Sequence, residues 1–334
     1  MSIKLAINGF GRIGRLVARA VLERDDMDLV AINDLGAIEA SAHLFKYDSV
    51  HGTVRQEVVI EGEGIRVGDK SFKVLCERKP EDLPWKALGV EYVIEASGAF
   101  RSRDKLAQHL AAGAKKVILT APGKKVDFTA VMGVNEGDYD PQQHHIISNA
   151  SCTTNCLAPV AKVLVEEFGI VKGMMTTIHS FTNDQRVLDM AHDDLRRART
   201  ASMSLIPTTT GAASAIGDVL PTLKGKLDGL AIRVPTPNVS LVDLTVELER
   251  AATVEEINAA FRQAATGELK GILKYTEEAL VSRDYNGESH SAVLDSLLTM
   301  VMDQRMAKVV AWYDNEWGYS IRVVDLLAYI AACA

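Results

Sequence analysis

The stretch IKLAINGFGRIG, residues 3–14, decides how the first half of the chain folds. It is an apolar run of strand length that leads directly into three glycines in the spacing Gly-x-Gly-x-x-Gly. Residues 15–24 then repeat apolar side chains at helical spacing, and residues 27–34 form a second strand pattern. A strand, a glycine turn, a helix and a strand in this order predict a βαβ unit that binds a dinucleotide.

Three glycines and one acidic residue carry that prediction. Gly9, Gly11 and Gly14 allow a tight turn, a close approach of the backbone to a pyrophosphate, and close contact between helix and strand. The N–H groups at the start of the helix can bind the phosphates. Asp34 ends the second strand pattern, where its carboxylate can accept hydrogen bonds from an adenosine ribose. The alternative is a glycine-rich turn in a parallel α/β protein that binds no ligand.

The same alternation continues toward the middle of the chain. Residues 90–98 and 115–123 are strand patterns that end on polar groups, and a helical pattern lies between them at residues 102–114. Residues 144–151 form a further strand pattern. Because open α/β sheets bind ligands at the carboxyl ends of their strands, we expect these polar groups at a binding edge.

Beyond about residue 150 the pattern changes. Residues 240–250 and 308–317 alternate apolar and polar side chains, which is typical of half-buried antiparallel strands. We therefore predict an α/β fold in which a Rossmann-type, doubly wound parallel sheet occupies residues 1–150 as the dinucleotide-binding domain. A second, α+β catalytic domain is predicted for residues 151–315. The last helix, in residues 316–334, is expected to pack back onto the first domain.

Composition and charge exclude several classes of protein. The 334 residues are 47% apolar and 24% charged, with a formal net charge of −7, as expected for a soluble globular chain. A general nucleic-acid binder needs a basic face, so no nucleic acid is expected as the primary partner. No apolar run is long enough to span a membrane. The four cysteines are too few for a disulfide framework and predict a reducing, cytoplasmic location.

Two of the cysteines lie four residues apart in ISNASCTTNCLAPV, residues 147–160. No metal site is predicted, because the spacing is not that of zinc ligands and no second ligand cluster accompanies it. A disulfide within one helical turn would be strained. Cys156, one turn into the predicted helix, suits the core. Cys152 follows a strand that ends at the binding edge, and the dipole at the helix start is expected to lower its pKa and populate the thiolate.

A nucleophilic cysteine also needs an imidazole partner. His179 lies at the end of the apolar, β-branched run of residues 174–180, a strand pattern whose end could face Cys152. From the pattern alone, a Cys152–His179 pair and two unrelated residues remain open as alternatives.

Several motifs taken together resemble the phosphorylating glyceraldehyde-3-phosphate dehydrogenases, from residue 3 to about residue 330. The motifs are INGFGRIGR (7–15), SNASCTTNC (148–156), HSFTNDQ (179–185), DLRRAR (194–199), IPTTTGAA (206–213), RVPTPNVS (233–240) and WYDNEWGYS (312–320). The resemblance implies an NAD-dependent enzyme of glycolysis and gluconeogenesis that converts D-glyceraldehyde 3-phosphate and inorganic phosphate to 1,3-bisphosphoglycerate. It further implies a thiohemiacetal and then a thioester on Cys152, with His179 as its partner, and a homotetramer.

The resemblance also implies the residues that bind cofactor and substrate. Those at NAD are Gly9, Gly11, Arg12, Ile13, Gly14, Asp34, Arg78, Thr120 and Asn315. Those at the substrate phosphate and inorganic phosphate are Ser151, Thr153, Thr182, Arg197, Thr210, Gly211 and Arg233. From the residues alone, the charged run 193–200 is a solvated helix face, and only the resemblance singles out Arg197 within it.

Two features bear on the choice between NAD and NADP. Asp34 favours NAD because it accepts from the ribose hydroxyls and repels a 2′-phosphate, and Leu35 supplies no hydroxyl for that phosphate. Strictly NAD-dependent members of the family carry Leu-Pro where this chain has Met190-Ala191, so NADP is a weaker alternative. We expect a preference for NAD, since charge repulsion acts whatever the loop does.

Two other functions are the alternatives. An erythrose-4-phosphate dehydrogenase shares the cysteine motif, although IPTTTGAA resembles the glyceraldehyde-3-phosphate branch more closely. A binding or regulatory protein could keep the nucleotide fold without catalysis, but Cys152, His179 and Arg233 are all retained.

Overall fold

A computed structural model describes residues 2–334, which divide into two compact units. Unit 1 comprises the residues up to Ala130, together with Glu136–Ser151 and Ser320–Ala334. Unit 2 comprises Val131–Asn135 and Cys152–Tyr319.

Unit 1 is built on a nine-stranded sheet, with a separate two-stranded hairpin. Its strands are β1 (Ile3–Asn8), β2 (Met27–Asn33), β3 (Tyr47–Asp48), β4 (Gly52–Thr53), β5 (Val58–Glu61), β6 (Gly64–Val67), β7 (Lys70–Leu75), β8 (Tyr92–Glu95), β9 (Lys116–Leu119), β10 (Phe128–Thr129) and β11 (Ile146–Ser148). Its first four helices are α1 (Arg12–Leu22), α2 (Ile38–Lys46), α3 (Trp85–Leu88) and α4 (Arg103–Ala111). The sheet runs in the order β10-β11-β9-β8-β1-β2-β7-β6-β5, and β3 pairs with β4.

The seven strands from β10 to β7 pair in parallel, and β6 and β5 add an antiparallel edge. Leu5, Ile7 and Ile94 on the central strands are fully buried, as expected for parallel strands that are covered on both faces. From β1 the chain builds the sheet first through β2 and later through β8 on the other side, so the strand order reverses at β1. The predicted Rossmann-type, doubly wound fold is confirmed, and its switch point lies beside the glycine turn.

Unit 2 is a mixed sheet with helices on it. Its helices are α5 (Cys152–Phe168), α6 (Ala212–Val219) and α7 (Val254–Thr266). Its strands are β12 (Ile170–Ser180), β13 (Ile206–Thr209), β14 (Leu227–Val234), β15 (Ser240–Leu248), β16 (Leu273–Thr276), β17 (Ala292–Asp295), β18 (Met300–Met302) and β19 (Met306–Tyr313). The sheet order is β13-β14-β12-β15-β19-β17-β16, with β18 on β19.

The half-buried strands predicted from alternation are β15 and β19. Along β15 every second side chain is buried, and α5 packs against this strand and against β17 and β19. Strand β19 is shorter than the predicted strand 308–317, because Asp314 ends it. The Asp314 carboxylate accepts the N–H groups of Glu316 and Trp317 at 2.9 and 2.8 Å, which begins the last helix, α8 (Trp317–Ala332).

From Ser320 onward α8 belongs to unit 1. There it contributes buried side chains that include Val323 and Leu327, and the ring of Tyr329 meets the ring of Tyr139 edge-on at 6.5 Å between centroids. No helix within residues 2–334 is long and apolar enough to cross a membrane.

Candidate active site

The glycine turn of unit 1 lies between β1 and α1. Gly9 has φ +93°, and a Cβ built there would lie 2.4 Å from the backbone of Ser97. A Cβ on Gly14 would lie 2.1 Å from the carbonyl oxygen of Gly9, so neither position accepts a larger residue. A Cβ on Gly11, by contrast, would meet no atom within 4 Å. The backbone at Gly11 is therefore open to a pyrophosphate, which fits the group that the sequence predicted.

Arg12 and Ile13 begin α1, at the positive end of the helix dipole. The Arg12 guanidinium donates to the Asp48 carboxylate at 2.7 Å. Burial alone would raise the pKa of Asp48. Hydrogen bonds from backbone N–H groups and the Arg12 guanidinium outweigh the effect of burial, and the pKa of Asp48 is lowered to about 2. Since the guanidinium is committed to Asp48, we expect Arg12 and Ile13 to bind a pyrophosphate through their backbone.

The remaining cofactor residues predicted in unit 1 follow strand ends. Asp34, directly after β2, accepts the N–H of Phe10 at 2.7 Å, which fixes its carboxylate beside the glycine turn. Arg78 is exposed, shortly after β7. Thr120 follows β9 directly and donates through Oγ1 to the carbonyl oxygen of Glu95 at 3.1 Å. Because the strands are parallel, their carboxyl ends bring these residues to one edge of the sheet. The segments that follow β1, β2, β7, β8 and β9 are called the cofactor edge below.

The candidate catalytic pair lies in unit 2. Cys152 is the first residue of α5, and His179 is the second-last residue of β12. Cys152 Sγ lies 3.4 Å from Nε2 of His179, which is hydrogen-bonding distance for sulfur. The tertiary structure thus brings together two residues whose pairing the sequence pattern left open.

The other ring nitrogen of His179 indicates its tautomer. Nδ1 lies 2.6 Å from the carbonyl oxygen of Ser180 and 2.9 Å from Nη1 of Arg233, and we assign a proton to Nδ1 because the shorter contact is to a carbonyl oxygen, which can only accept. In a neutral imidazole the proton is therefore on Nδ1, and the lone pair of Nε2 points at Cys152, as a general base requires. Arg233 lies opposite His179 in the parallel pairing of β12 with β14 and donates to the Ser180 carbonyl at 3.0 Å.

Burial opposes a charge on either member of the pair. It raises the pKa of the Cys152 thiol, although Arg233 and the donor groups of Thr153 act in the other direction. Burial and the positive charges of Arg233 and Arg197 lower the pKa of His179 to about 3. The sequence predicted a lowered thiol pKa from the helix dipole, and in the structure desolvation is the larger effect. A thiolate at Cys152 therefore depends on proton transfer to His179, whose positive charge would lie 3.4 Å away and offset it.

Tyr313 connects the two elements that carry the pair. Its hydroxyl lies 2.9 Å from Oγ1 of Thr153, the residue after Cys152. It also lies 2.9 Å from Oγ1 of Thr177, two residues before His179. The Tyr313 ring stands edge-on to the imidazole at 6.0 Å between centroids. This buried phenol on β19 therefore fixes the start of α5 relative to the end of β12.

A second group of predicted residues surrounds Arg197. Its Nε donates to Oγ1 of Thr208 at 2.9 Å, its Nη2 donates to the carbonyl oxygen of Thr209 at 3.1 Å, and its Nη1 pairs with Asp184. These contacts hold the guanidinium beside the end of β13. Arg197 also lowers the pKa of Arg233, after the larger effect of burial, so two positive charges act on the same region.

The charged run 193–200 divides in the structure. It forms bends and turns, so the predicted helix is wrong, although Arg196 and Arg199 are exposed as on a solvated face. The side chain of Arg197 is only 19% exposed. Thr210 and Gly211 stand at the N-terminus of α6, directly after the strand that Arg197 contacts.

The other predicted phosphate residues flank the catalytic pair in the chain. Ser151 immediately precedes α5, and Thr182 lies two residues beyond β12; both side chains are half-buried. The Thr153 hydroxyl is already engaged with Tyr313.

The likeness to known proteins extends along almost the whole chain. Residues 3–103 match the family model described as glyceraldehyde 3-phosphate dehydrogenase, NAD binding domain, and residues 151–315 match the model for the C-terminal domain. A curated glyceraldehyde-3-phosphate dehydrogenase from Geobacillus stearothermophilus is 63% identical over 332 residues, which is 99% of each chain. The chain belongs to the glyceraldehyde-3-phosphate dehydrogenase family. Relatives of that name from Priestia megaterium and Zymomonas mobilis are 59% and 57% identical, also over 99% of both chains.

The family resemblance seen in the sequence motifs is thus confirmed. Asn315, which that resemblance assigned to the cofactor, lies in unit 2 just beyond β19 and is 5% exposed. Its Oδ1 accepts from Oγ of Ser240 at 2.7 Å, and Ser240 in turn accepts the N–H of Ser180 at 3.1 Å. With Oδ1 occupied in this way, the NH₂ group of Asn315 is the part left to donate to a ligand.

Sequence reasoning missed the side chains that hold the candidate site of this glyceraldehyde-3-phosphate dehydrogenase family member together. They are Thr177, Thr208, Ser240 and Tyr313. Three of them lie inside the quoted motifs, and this position in a motif was the signal that could have found them. Their roles depend on contacts between elements that are distant in the chain. Among residues 2–334 no group of three His, Cys, Asp or Glu side chains is arranged to hold a metal ion.

Proposed function

We propose that the chain catalyses the phosphorylating oxidation of D-glyceraldehyde 3-phosphate to 1,3-bisphosphoglycerate, with NAD as cofactor and inorganic phosphate as second substrate. The observation that carries this proposal is the 3.4 Å contact of Cys152 Sγ with His179 Nε2, in a chain 63% identical to a glyceraldehyde-3-phosphate dehydrogenase over 99% of its length. The matched NAD binding domain and the open backbone at Gly11 support NAD. This activity belongs to glycolysis and gluconeogenesis.

Cys152 acts as the nucleophile. Its sulfur bonds to the aldehyde carbon while its proton passes to Nε2 of His179, and the carbonyl oxygen becomes an oxyanion. The backbone N–H of Cys152, at the start of α5, can donate to that oxyanion. His179 then returns the proton to the oxygen, which gives a thiohemiacetal.

His179 next takes the proton of the thiohemiacetal hydroxyl. It is neutral and able to do so at physiological pH, because its pKa is about 3. The acceptor for the hydride on the same carbon would be supplied by NAD when it is bound. That carbon keeps its bond to Cys152, so a thioester remains. An oxygen of inorganic phosphate then attacks the thioester carbon, the carbon–sulfur bond breaks with its electron pair staying on the sulfur of Cys152, and the acyl phosphate is released. The thiolate regains its proton from His179.

Two anions must be bound, the substrate phosphate and inorganic phosphate. Arg197 and Arg233 supply the charge, since a guanidinium can donate two parallel hydrogen bonds to a phosphate. Arg197 donates to Thr208, Thr209 and Asp184, which leaves two of its five N–H groups for an anion. The set is completed by Ser151, Thr153, Thr182, Thr210 and Gly211.

Initial rates with separate substrates test the proposal. NADH formation should be fastest with glyceraldehyde 3-phosphate and should need phosphate for repeated turnover, because the thioester otherwise accumulates on Cys152. A higher rate with erythrose 4-phosphate would favour the related dehydrogenase. Binding of NAD without turnover of any aldehyde would favour the non-catalytic alternative.

The cofactor preference is a separate prediction. A 2′-phosphate about 4 Å from the Asp34 carboxylate, at an effective dielectric near 20, would be repelled by about 4 kcal/mol before salt and exposure reduce the effect. We therefore expect kcat/KM to favour NAD over NADP by at least about tenfold, which corresponds to about 1.4 kcal/mol. Leu35, which is 54% exposed, supplies no hydroxyl to bind a 2′-phosphate.

Two variants of Asp34 separate charge from hydrogen bonding. Asp34→Asn removes the charge and keeps an acceptor for the Phe10 N–H, so it should reduce the difference in kcat/KM between NAD and NADP by raising kcat/KM for NADP. Asp34→Ala should reduce the same difference mainly by lowering kcat/KM for NAD. Equal kcat/KM with both cofactors in the unmodified protein would show that the Met190-Ala191 segment outweighs the carboxylate.

The surface of unit 2 supports a homotetramer. Met174, Thr245, Lys308 and Met300 form one row across β12, β15, β19 and β18, so they share a face of the sheet. Met174 is 70% exposed and Met300 is 55% exposed. Exposed methionines on one face of a sheet are available to an interface between proteins, and the family resemblance gives further copies of the chain as the partner. Light scattering should give close to four times the chain mass of 36.3 kDa, and the mass of a single chain would contradict this assembly.

A further inference from the structure

A series of buried side-chain hydrogen bonds crosses unit 1 beneath the cofactor edge. Glu95, the fully buried last residue of β8, accepts Nδ2 of Asn8 at 2.6 Å through Oε2. Asn8, the last residue of β1, accepts Nδ2 of Asn33 at 2.7 Å. Asn33, the last residue of β2, accepts the N–H of Glu77 at 2.8 Å and donates to its carbonyl oxygen at 2.9 Å. Glu95, Asn8 and Asn33 are called the Glu95 network below.

The donors and acceptors of this network fit in one arrangement. Trp85 can only donate, and its indole N–H lies 3.0 Å from Nδ1 of His109, so the imidazole proton is on Nε2 and is donated to Glu95 at 3.0 Å. The Glu95 carboxylate can only accept, so Asn8 must present its NH₂ group to it and its oxygen to Asn33. That orientation fixes the amide of Asn33 in turn, and every bond in the series depends on the acceptor at Glu95.

Three residues that the network reaches are each followed directly by a residue proposed to bind NAD. These residues are Gly9 after Asn8, Asp34 after Asn33, and Arg78 after Glu77. Glu95 contacts the cofactor edge at two further points, one through its side chain and one through its backbone. Its Oε1 accepts both the N–H and the hydroxyl of Ser97. Its carbonyl oxygen accepts the N–H and Oγ1 of Thr120 at 3.0 and 3.1 Å.

We propose that Glu95 is a positioning residue for NAD, which sets the spacing of the loops at the cofactor edge through Asn8, Asn33 and Ser97. The inference rests on the proposed function for the identity of the cofactor. Glu95 is 0% exposed and cannot contact NAD itself. A buried carboxylate loses its hydration, and apolar side chains of similar volume often stabilise a core equally well. A polar network in which every donor and acceptor is paired fixes one geometry, because hydrogen bonds are directional and apolar contacts are not. In this protein the fixed geometry lies beneath the residues proposed to bind the cofactor.

The variant Glu95→Gln tests this directly. Glutamine keeps one acceptor oxygen and replaces the other with NH₂, so if the oxygen serves Asn8 and His109, the N–H of Ser97 loses its acceptor. We expect the dissociation constant and the KM for NAD to rise by about tenfold or more, the factor that corresponds to about 1.4 kcal/mol. The kcat, the KM for the aldehyde and the alkylation rate of Cys152 should stay as in the unmodified protein. If Glu95 had only a structural role, the variant would lower the melting temperature without raising the dissociation constant and the KM for NAD selectively.

Two further variants keep the test decisive. Trp85→Phe removes only the donor to His109 at the far end from the cofactor edge, so it should lower the melting temperature and keep the affinity for NAD. Asn33→Ala breaks the network in the middle, and it replaces Glu95→Gln in the test if that variant does not fold. Unchanged NAD affinity in Glu95→Gln, or an equal loss in Trp85→Phe, would overturn the inference. An unmodified protein that does not bind NAD would overturn the proposed function instead, and the inference with it.

Discussion

Replacing Cys152 with serine is expected to lower kcat by about 10⁴-fold or more, as loss of a covalent nucleophile does in other enzymes. A serine hydroxyl gives up its proton far less readily than a thiol, so the attacking anion is not formed at an appreciable rate. NAD binding should remain measurable, because the residues proposed to bind the dinucleotide through the glycine turn lie in unit 1.

The same substitution one turn along α5 is the matched control. Cys156 is fully buried, and burial raises the pKa of its thiol well above the ordinary value, so Cys156→Ser should retain turnover. Iodoacetamide should label Cys152 first, although Cys76 and Cys333 are the exposed cysteines. Faster labelling of another cysteine, with activity lost in step, would contradict the assignment of the nucleophile.

Replacing His179 with asparagine is expected to lower kcat by about 10²- to 10⁴-fold, the range for loss of one general base or oxyanion donor. Asparagine can still donate a hydrogen bond but cannot take a proton. The pH dependence of alkylation should change as well. Burial raises the pKa of the Cys152 thiol, so without a base at Nε2 it stays protonated at neutral pH, and alkylation should rise only as the pH passes the ordinary thiol value of 9.0.

His290→Asn is the control for this variant, since His290 is a half-buried histidine of unit 2 that bonds to Glu288 at 2.7 Å. It should leave both turnover and the alkylation profile unchanged. If His179→Asn also leaves both unchanged, His179 has only a structural role.

The sequence by itself determined the nucleotide fold of unit 1. The glycine spacing, the helical repeat after it and the apolar strands are local patterns, and each local preference agrees with the final sheet. Gly9 and Gly14 are required because backbone atoms lie where a Cβ would stand, and that requirement is visible in the sequence as glycine. The start of α5 at Cys152 also followed from a local pattern, a strand followed by cap-like polar residues.

Only the tertiary structure decided how the proposed catalytic residues meet. Cys152 and His179 are 27 residues apart in the chain, and Tyr313 is 160 residues from Thr153, so no local period relates them. Arg233 reaches His179 because β14 pairs with β12, and strand pairing is a long-range choice. The sign of the Cys152 pKa shift has the same origin. The helix dipole is a local property that the sequence reveals, whereas desolvation comes from every element that packs around the thiol.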